Sequence, residues 1–548
     1  MSINFSHLSG RKGMDENLFD ALVKEGGFTG TAETEKLKEL AEDYLLGEAP
    51  LLGAASFYDF LRKENEGKKI HVCNGTACMV AGTQDKLRNK ISEHFDDKEV
   101  GHICCLGRCH ENSAFQHNGQ NYSGETDLST LSENNDSEDT YNVANDGTAH
   151  LTGEFPGIDA FYALLKDILK RDRAELVEEL TRSNVRGRGG AGFPAGIKWK
   201  TVKDAPGEVK FVVCNADEGD PGAYSDRYLM EKQPHLVLFG MMVCGYITGA
   251  ETGVLYIRAE YPDSVSIMTQ AVEDLQQAGY LGENICDSGF NFKFKVVKGA
   301  GSYVCGEETA LLASLEGQRP EVRVRPPFPA VQGLFRKPTA LNNVETFAVI
   351  HPVFNLGGDA YSEIGRGRSS GTKLVSLDSF FNKPGIYEVA MGTPVSDIFE
   401  NYGGGFKSPV KAVHIGGPLG GIVPLEKIPD LTLDFESFDD HGFLLGHASV
   451  VSIPDDFPVL KYIEHLFEFT AAESCGKCFP CRLGSQRGME LLRKARTSDY
   501  KMDRELLDDL LETLEETSLC ALGGGLPLPV KNVLQYFKDE LNPYFQEA

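Results

Sequence analysis

The sequence predicts a multidomain α/β protein, and three observations carry that expectation. The chain has 548 residues, more than one hydrophobic core usually organises. Between about 154 and 371, strand-like apolar runs alternate with amphipathic helical runs, the pattern of an α/β sheet domain. The 13 cysteines fall mostly into tight groups, one in the first quarter of the chain and one near its end, which marks separate metal-bearing units.

Composition narrows the function classes. Hydrophobic residues make up 41%, enough for packed cores and too many for a disordered chain. Lys plus Arg number 54 against 81 Asp plus Glu, a net charge of −27. That charge repels phosphate backbones and excludes non-specific nucleic-acid binding. Met1 to Glu16 has no signal-peptide-like apolar run. Leu236 to Ala250, the longest apolar stretch, is too short and too broken by glycine to span a bilayer. The expected compartment is the cytoplasm, where grouped cysteines bind metal or do redox chemistry rather than form disulfides.

Element by element, residues 1–65 read as a short helical segment, with helices at Glu33 to Leu45 and Ala54 to Lys63. A first compact unit follows over 66–125. It has a strand at Lys69 to Val72, a helix at Thr83 to Phe95, and a strand-turn-strand at Ala114 to Tyr122 around Gly119. Residues 126–153, within a Ser-, Asn-, Asp- and Glu-rich run that starts at 123, read as a linker or mobile surface loop. The 154–371 unit opens with a helix over Ile158 to Thr181. It continues with strands at Lys210 to Val213, Gly253 to Arg258 and Lys293 to Val297, and with helices near 226–248, 263–278 and 306–316. Residues 372–455 read as mostly β, with a short helix from Val395 to Tyr402. Residues 456–548 read as helical from Val459, interrupted by cysteines and by Gly523 to Pro529.

Cys475, Cys478 and Cys481 are spaced Cys-x-x-Cys-x-x-Cys and are followed by Cys520. Three closely spaced thiolates with a distant fourth fit a [4Fe–4S] cluster. A structural zinc site would favour two Cys-x-x-Cys pairs or added histidine. Cys73-x4-Cys78 and Cys105-x3-Cys109 offer two thiolate pairs, one per iron of a [2Fe–2S] cluster. Cys104 competes with Cys105, and we favour Cys105 because Leu106, Gly107 and Arg108 then form the turn. Zinc stays the alternative at this site.

Gly187-Arg-Gly-Gly-Ala-Gly192 matches Gly-x-Gly-x-x-Gly, but a helix rather than a strand precedes it, so it is not an ordinary dinucleotide turn. Its bare amides, with Arg188 or Lys198, suit phosphate, and a plain surface loop is the alternative. Cys214-Asn-Ala-Asp-Glu-Gly-Asp-Pro packs carboxylates at a strand end, where α/β folds place ligand contacts. Asn215 suits a ring edge or a ribose. Gly299-Ala-Gly-Ser-Tyr-Val-Cys-Gly-Glu-Glu sets Tyr303, Glu307 and Glu308 at a helix start, where the dipole favours carboxylates. A solvated acidic cap reads equally well there.

Together these segments resemble the NADH-binding flavoprotein subunit of respiratory NADH:quinone oxidoreductase. The residues that carry the resemblance are GRGGAGFPAGIKW (187–199), CNADEGDPG (214–222), GAGSYVCGEETAL (299–311), Pro326 to Ala330, NNVET (342–346) and ESCGKCFPCR (473–482). It covers roughly 154–548. Residues 50–125 resemble the small thioredoxin-like [2Fe–2S] subunit of the same complex, fused in front. The fusion is similar to the β subunit of molybdenum- or tungsten-containing NAD-dependent formate dehydrogenase and to the diaphorase subunit of NAD-reducing hydrogenase. TKLVSL (372–377), Gly416-Gly-Pro-Leu and Ser518 to Pro529 favour the formate dehydrogenase form.

The resemblance implies a thioredoxin-like [2Fe–2S] domain, a Rossmann-like FMN/NADH domain, a small β-grasp-like domain at 372–455 and a C-terminal [4Fe–4S] helical bundle. It implies FMN held by Gly187, Gly189, Lys198, Asn215, Asp217, Gly306, Glu307, Asn342 and Asn343, with Thr346 in the same motif and backbone amides near Glu218. It implies NAD(H) stacked against Phe193 and Phe328, with Glu308, Tyr303 and Asp220 at its polar edges. Asp220 stands where respiratory members usually have Glu, and Thr201 stands near where they have an aromatic. The implied function is an FMN-dependent NAD(H) oxidoreductase subunit, most simply reducing NAD+ with electrons from formate oxidised in a partner subunit. The implied partners are a molybdenum or tungsten catalytic subunit, or a hydrogenase module, and a further small [2Fe–2S] subunit. The rivals are a hydrogenase-linked diaphorase, including bifurcating forms, and a non-enzymatic iron–sulfur scaffold. The absence of cysteine after Cys520 weighs against the bifurcating forms that carry extra ferredoxin-like cysteines. Whether the [2Fe–2S] centre is a side store or an outlet stays open.

Overall fold

The computed structural model describes residues 10–26, 34–131, 139–147 and 149–546. Glu33, which begins the first predicted helix, and part of the predicted linker lie outside them.

The N-terminal helices Leu18–Gly26, Thr34–Asp43 and Glu48–Ala55 fasten this segment to the central unit. Asn17 Nδ2 donates to the Leu315 carbonyl at 2.7 Å. The Phe19 ring packs against Tyr58 and Tyr256 at 5.2 and 5.9 Å. The helix predicted from Ala54 to Lys63 is broken, surviving only as the end of Glu48–Ala55 and the 3-10 turns Asp59–Leu61 and Lys63–Asn65. The chain leaves the helix after Ala55 because the Asp59 and Phe60 amides bond instead to Gly301 and Ala300 carbonyls, at 2.9 and 3.2 Å. Long-range pairing overrides local propensity there.

The first cysteine unit is a four-stranded sheet ordered Val100–Ile103, Ile70–Cys73, Ala114–His117, Gln120–Ser123. Its first pair is parallel and the others are antiparallel. The stretch read as a linker contains a strand, Asn142–Asn145, which pairs in parallel with Gly385–Ala390 at the edge of a six-stranded sheet. Glu388 fixes it further by accepting the His150, Leu151 and Thr152 amides at 2.9 to 3.1 Å. A polar edge strand carries no alternating apolar signal, so periodicity misses it.

The central unit has parallel strands ordered Thr339–Asn343, Phe211–Ala216, Thr252–Ile257 and Phe290–Lys298, with Gly282–Ile285 antiparallel at the far edge. The predicted helix at 226–248 is two, Ser225–Lys232 and Pro234–Thr248, because Pro234 starts a new helix at N1. Pro234–Thr248 is apolar on nearly all sides and correspondingly buried. The predicted Ile158–Thr181 helix is likewise split, with Asp172 capping the second piece, Arg173–Arg182. The C-terminal part is a helical bundle built on Val459–Glu473, Ser485–Thr497, Arg504–Thr517 and Pro527–Tyr536. Among the described residues no helix is long and apolar enough to cross a membrane.

Strand order positions the site. From Phe211–Ala216 the chain steps outward to Thr252–Ile257 and Phe290–Lys298, then returns to the opposite side for Thr339–Asn343. The sheet therefore reverses between Asn215 and Asn343, which are register partners. A crevice opens at the carboxyl ends of parallel strands at such a reversal.

Candidate functional site

The glycine-rich loop reaches that crevice. The Gly187 amide closes the loop on the Phe193 carbonyl at 2.9 Å, and a Cβ on Gly189 would stand only 2.9 Å from Asn343 Cβ. Arg188 is buried, with its amide on Thr346 Oγ1 at 2.8 Å and its guanidinium on the Ser370 carbonyl at 2.6 Å. It therefore braces the loop rather than facing solvent. Lys198 Nζ donates to the Leu341 carbonyl at 2.9 Å, and burial pulls its pKa down. Asn343 Oδ1 caps Val344–Ala348, and its Nδ2 donates to Asp226. Asn342 Oδ1 accepts from the Trp199 indole at 3.4 Å.

The next two loops complete the walls. Asn215 Nδ2 donates to the Gly306 carbonyl at 2.8 Å, and a Cβ on Gly306 would sit 3.4 Å from the Asp217 carbonyl. Burial pushes the Asp217 carboxyl well up, and its Oδ2 has no partner. Glu307 is the N-cap of Glu308–Leu315, accepting the Thr309 and Ala310 amides through one oxygen, while its buried Oε1 has no hydrogen bond and only the Arg325 guanidinium at 3.9 Å. Unsatisfied buried acceptors are costly, and these two suit a ligand that brings hydroxyl or N–H groups. Phe193 and Phe328 are 49% and 55% exposed, unusual for large rings beside a crevice and suited to stacking a planar ligand.

Glu308 is held by Arg325 at 2.7 Å, and that guanidinium lies over Phe328 at 5.9 Å. Tyr303 Oη donates to Asp220 at 2.6 Å, and the other Asp220 oxygen meets His447 at 3.2 Å. The Glu218 carboxylate is buried and tied to the start of Ser225–Lys232. It accepts from the Asp226 and Arg227 amides and from Tyr261 Oη, at 2.9 to 3.2 Å, and its backbone carbonyl accepts from Arg258 and Tyr261 at 2.6 and 3.2 Å. Thr201 lies exposed on Ala195–Asp204, its hydroxyl on the Ile197 carbonyl.

The first cysteine set converges at one end of its sheet. Cys73, Cys78, Cys105 and Cys109 are all buried, and their sulfurs interact electrostatically. Cys105 and Cys109 sulfurs are 3.7 Å apart. The Cys78 thiol and the Gly75, Leu106 and Cys105 amides pull the Cys73 thiol down to about 6. The Gly222 amide donates to Cys109 Sγ at 3.2 Å. Amides aimed at sulfur favour thiolates, as an iron–sulfur centre requires. Cys105 takes a left-handed φ of 51°. Cys104 is half-buried beside the set, and burial, with Glu473, Cys105 and Cys73 near it, raises its thiol.

In the second set, Cys475, Cys478 and Cys481 interact with one another, and Cys520 with Cys475 and Cys481. Cys481 lies on a π-helical turn, Pro480–Gly484, that feeds the helix Ser485–Thr497. A Cβ on Gly523 would come within 2.8 Å of Cys481 Cβ, so the Cys520 loop needs glycine to close on the site. All 13 cysteines are free of disulfides. Gly222, His447, Arg227 and Arg258 also line these sites. Gly222 closes the 214–222 motif, whereas sequence reading missed His447, Arg227 and Arg258 because only tertiary contacts bring them there.

Comparison with known proteins identifies the families of these three units. Residues 180–352 match the Nuo51 FMN-binding domain, 461–544 the NADH-ubiquinone oxidoreductase-F iron-sulfur binding region, and 11–132 the thioredoxin-like [2Fe-2S] ferredoxin. The F 2 subunit of the NADH-quinone oxidoreductase of Rhizobium meliloti (strain 1021) is 41% identical over 401 residues, covering 73% of this chain and 95% of that protein. The HndC subunit of the NADP-reducing hydrogenase of Solidesulfovibrio fructosivorans is 40% identical, covering 71% and 81%. A crystal structure of NAD+-reducing [NiFe]-hydrogenase in the air-oxidized state superposes with a TM-score of 0.82 at 26% identity, covering 98% of this chain and 95% of that one. The chain belongs to the family of NADH-quinone oxidoreductase F subunits, joined to a thioredoxin-like [2Fe–2S] domain, and is an NAD(H)-reactive oxidoreductase subunit that binds FMN, a [4Fe–4S] cluster and a [2Fe–2S] cluster.

Proposed function

We propose that this chain is the NAD(H)-reactive subunit of a cytoplasmic complex that reduces NAD+ with electrons from formate oxidised in a molybdenum or tungsten partner. The observation that supports its electron-transfer role best is the sheet-reversal crevice, flanked by exposed Phe193 and Phe328 and in direct contact with a cysteine set through Gly222 and Cys109. FMN, when bound, exchanges hydride with NAD(H) and single electrons with clusters, so no protein acid or base need break the C–H bond. In this reading Gly187, Gly189 and Lys198 hold the phosphate. Asn215, Asp217, Gly306 and Glu307 receive polar groups of the ribityl chain and ring. Asn342, Asn343 and Thr346 brace the loop. Phe193 and Phe328 sandwich the nicotinamide nucleotide, and Glu308, Tyr303 and Asp220 meet its polar edges. Cys73, Cys78, Cys105 and Cys109 hold the [2Fe–2S] cluster, and Cys475, Cys478, Cys481 and Cys520 the [4Fe–4S] cluster. The sheet formed by 142–145 and 372–454 is read as the β-grasp-like domain.

The formate assignment rests on TKLVSL, Gly416-Gly-Pro-Leu and Ser518 to Pro529. The likeness to an NAD+-reducing hydrogenase favours a second reading, a hydrogenase diaphorase. Metal analysis of the co-purified native complex separates them. Molybdenum or tungsten with formate-driven NAD+ reduction supports the first. Nickel with hydrogen-driven reduction supports the second and overturns the first.

A further inference from the structure

Two buried arginines join the cysteine loop 104–109 to the flavin-motif loop 217–222. Arg258 is 4% exposed. It donates to the Glu218 carbonyl at 2.6 Å and to the Cys104 carbonyl at 2.9 Å, spanning both loops with one guanidinium. Its counter-ion is Glu260, also at 2.9 Å. Arg227 is 3% exposed and donates to the Gly107 carbonyl at 2.9 Å, while its amide is held by Glu218 Oε2 at 3.1 Å. Tyr261 fills the remaining gap so tightly that a Cβ on Gly107 would lie 2.7 Å from its oxygen. The Gly222 amide on Cys109 adds a direct bond between the loops.

A planar guanidinium is the group that can bridge two carbonyls at fixed angles. Burying one is costly unless it is paired, yet both of these spend donors on backbone carbonyls of the cysteine loop. Arg258 is close enough to Cys105 to interact with its sulfur electrostatically. Adding one electron to a cluster adds one negative charge, which a nearby buried cation stabilises.

We propose that Arg258, supported by Arg227, is a positioning residue for the [2Fe–2S] centre: it fixes that centre against the flavin crevice and raises its reduction potential. The inference rests on Cys73, Cys78, Cys105 and Cys109 being the cluster ligands. A missing [2Fe–2S] signal in the unaltered protein would defeat that assignment separately.

The test is an EPR-monitored redox titration of the full-length holoprotein, reading both clusters. In Arg258→Gln, the ratio of reduced to oxidised [2Fe–2S] at a fixed potential should fall about tenfold, equivalent to about 59 mV for a one-electron couple. The [4Fe–4S] midpoint should not move. Glu260→Gln removes the opposing negative charge and keeps an acceptor for Arg258, so it should shift [2Fe–2S] in the opposite, upward direction. It decides the matter if Arg258→Gln does not fold. An unchanged [2Fe–2S] midpoint in the folded variant, or equal shifts of both clusters, overturns the proposal.

Discussion

Lys198 offers the sharpest test of the flavin assignment. Its ammonium sits beside Thr339–Asn343, where it donates one N–H to the Leu341 carbonyl at 2.9 Å. An ammonium can offer two more donors to a phosphate. Burial pulls its pKa down, so without an anion the folded protein gains little from the charge. Lys198→Met keeps an unbranched apolar stem and removes only the cation. A charge-assisted hydrogen bond contributes roughly 1.5 to 3 kcal/mol. At about 1.4 kcal/mol per tenfold, the FMN dissociation constant should rise roughly 10- to 100-fold. The melting temperature of the flavin-free protein should stay the same or rise, because a costly charge has gone. Fluorescence titration of flavin-free protein with FMN measures the first quantity and calorimetry the second. FMN affinity within twofold of the unaltered protein, or a marked loss of stability without flavin, would refute the reasoning.

Other substitutions separate the remaining roles. Cys105→Ser should abolish the [2Fe–2S] EPR signal, whereas Cys104→Ser should retain it. Cys520→Ser should remove the [4Fe–4S] signal and spare the other. Glu308→Ala should weaken NADH binding while FMN content holds, and a variant that lost FMN with unchanged NADH affinity would contradict the assignment. Buried His414, between Tyr462 Oη and the Gly420 carbonyl, has its pKa lowered by burial to about 4. The unfolded chain takes up that proton near 6.5. Stability from this site is therefore present above about 6.5 and lost as pH falls toward about 4, by about 3 kcal/mol. Calorimetry of His414→Gln across this range should show a shallower loss, and an equal slope would refute the assignment.

Local chemistry was legible and long-range pairing was not. The cysteine spacings are local, and the structure brings each set of four sulfurs together. Glu307 and Glu308 read as a helix start, and Glu307 is that cap. The strand Asn142–Asn145 was invisible because its bonding partners lie some 240 residues on, at Gly385–Ala390. Ala54 to Lys63 read as one helix, but backbone bonds from Asp59 and Phe60 to the distant Gly301 and Ala300 carbonyls break it, leaving Leu61 in a single 3-10 turn, Asp59–Leu61. The Glu218 carboxylate read as one of a cluster facing a ligand, yet it caps Ser225–Lys232. Arg227 and Arg258 stand in no motif, and only the docking of two loops gives them a role.

The most direct test of the central claim is anaerobic NADH titration of the purified, cofactor-loaded chain, followed by the flavin absorbance band and by EPR. The account predicts bleaching of the flavin band on NADH addition, followed by the signal of at least one reduced cluster. A flavin band unchanged by NADH, in protein that retains FMN and both clusters, would contradict it.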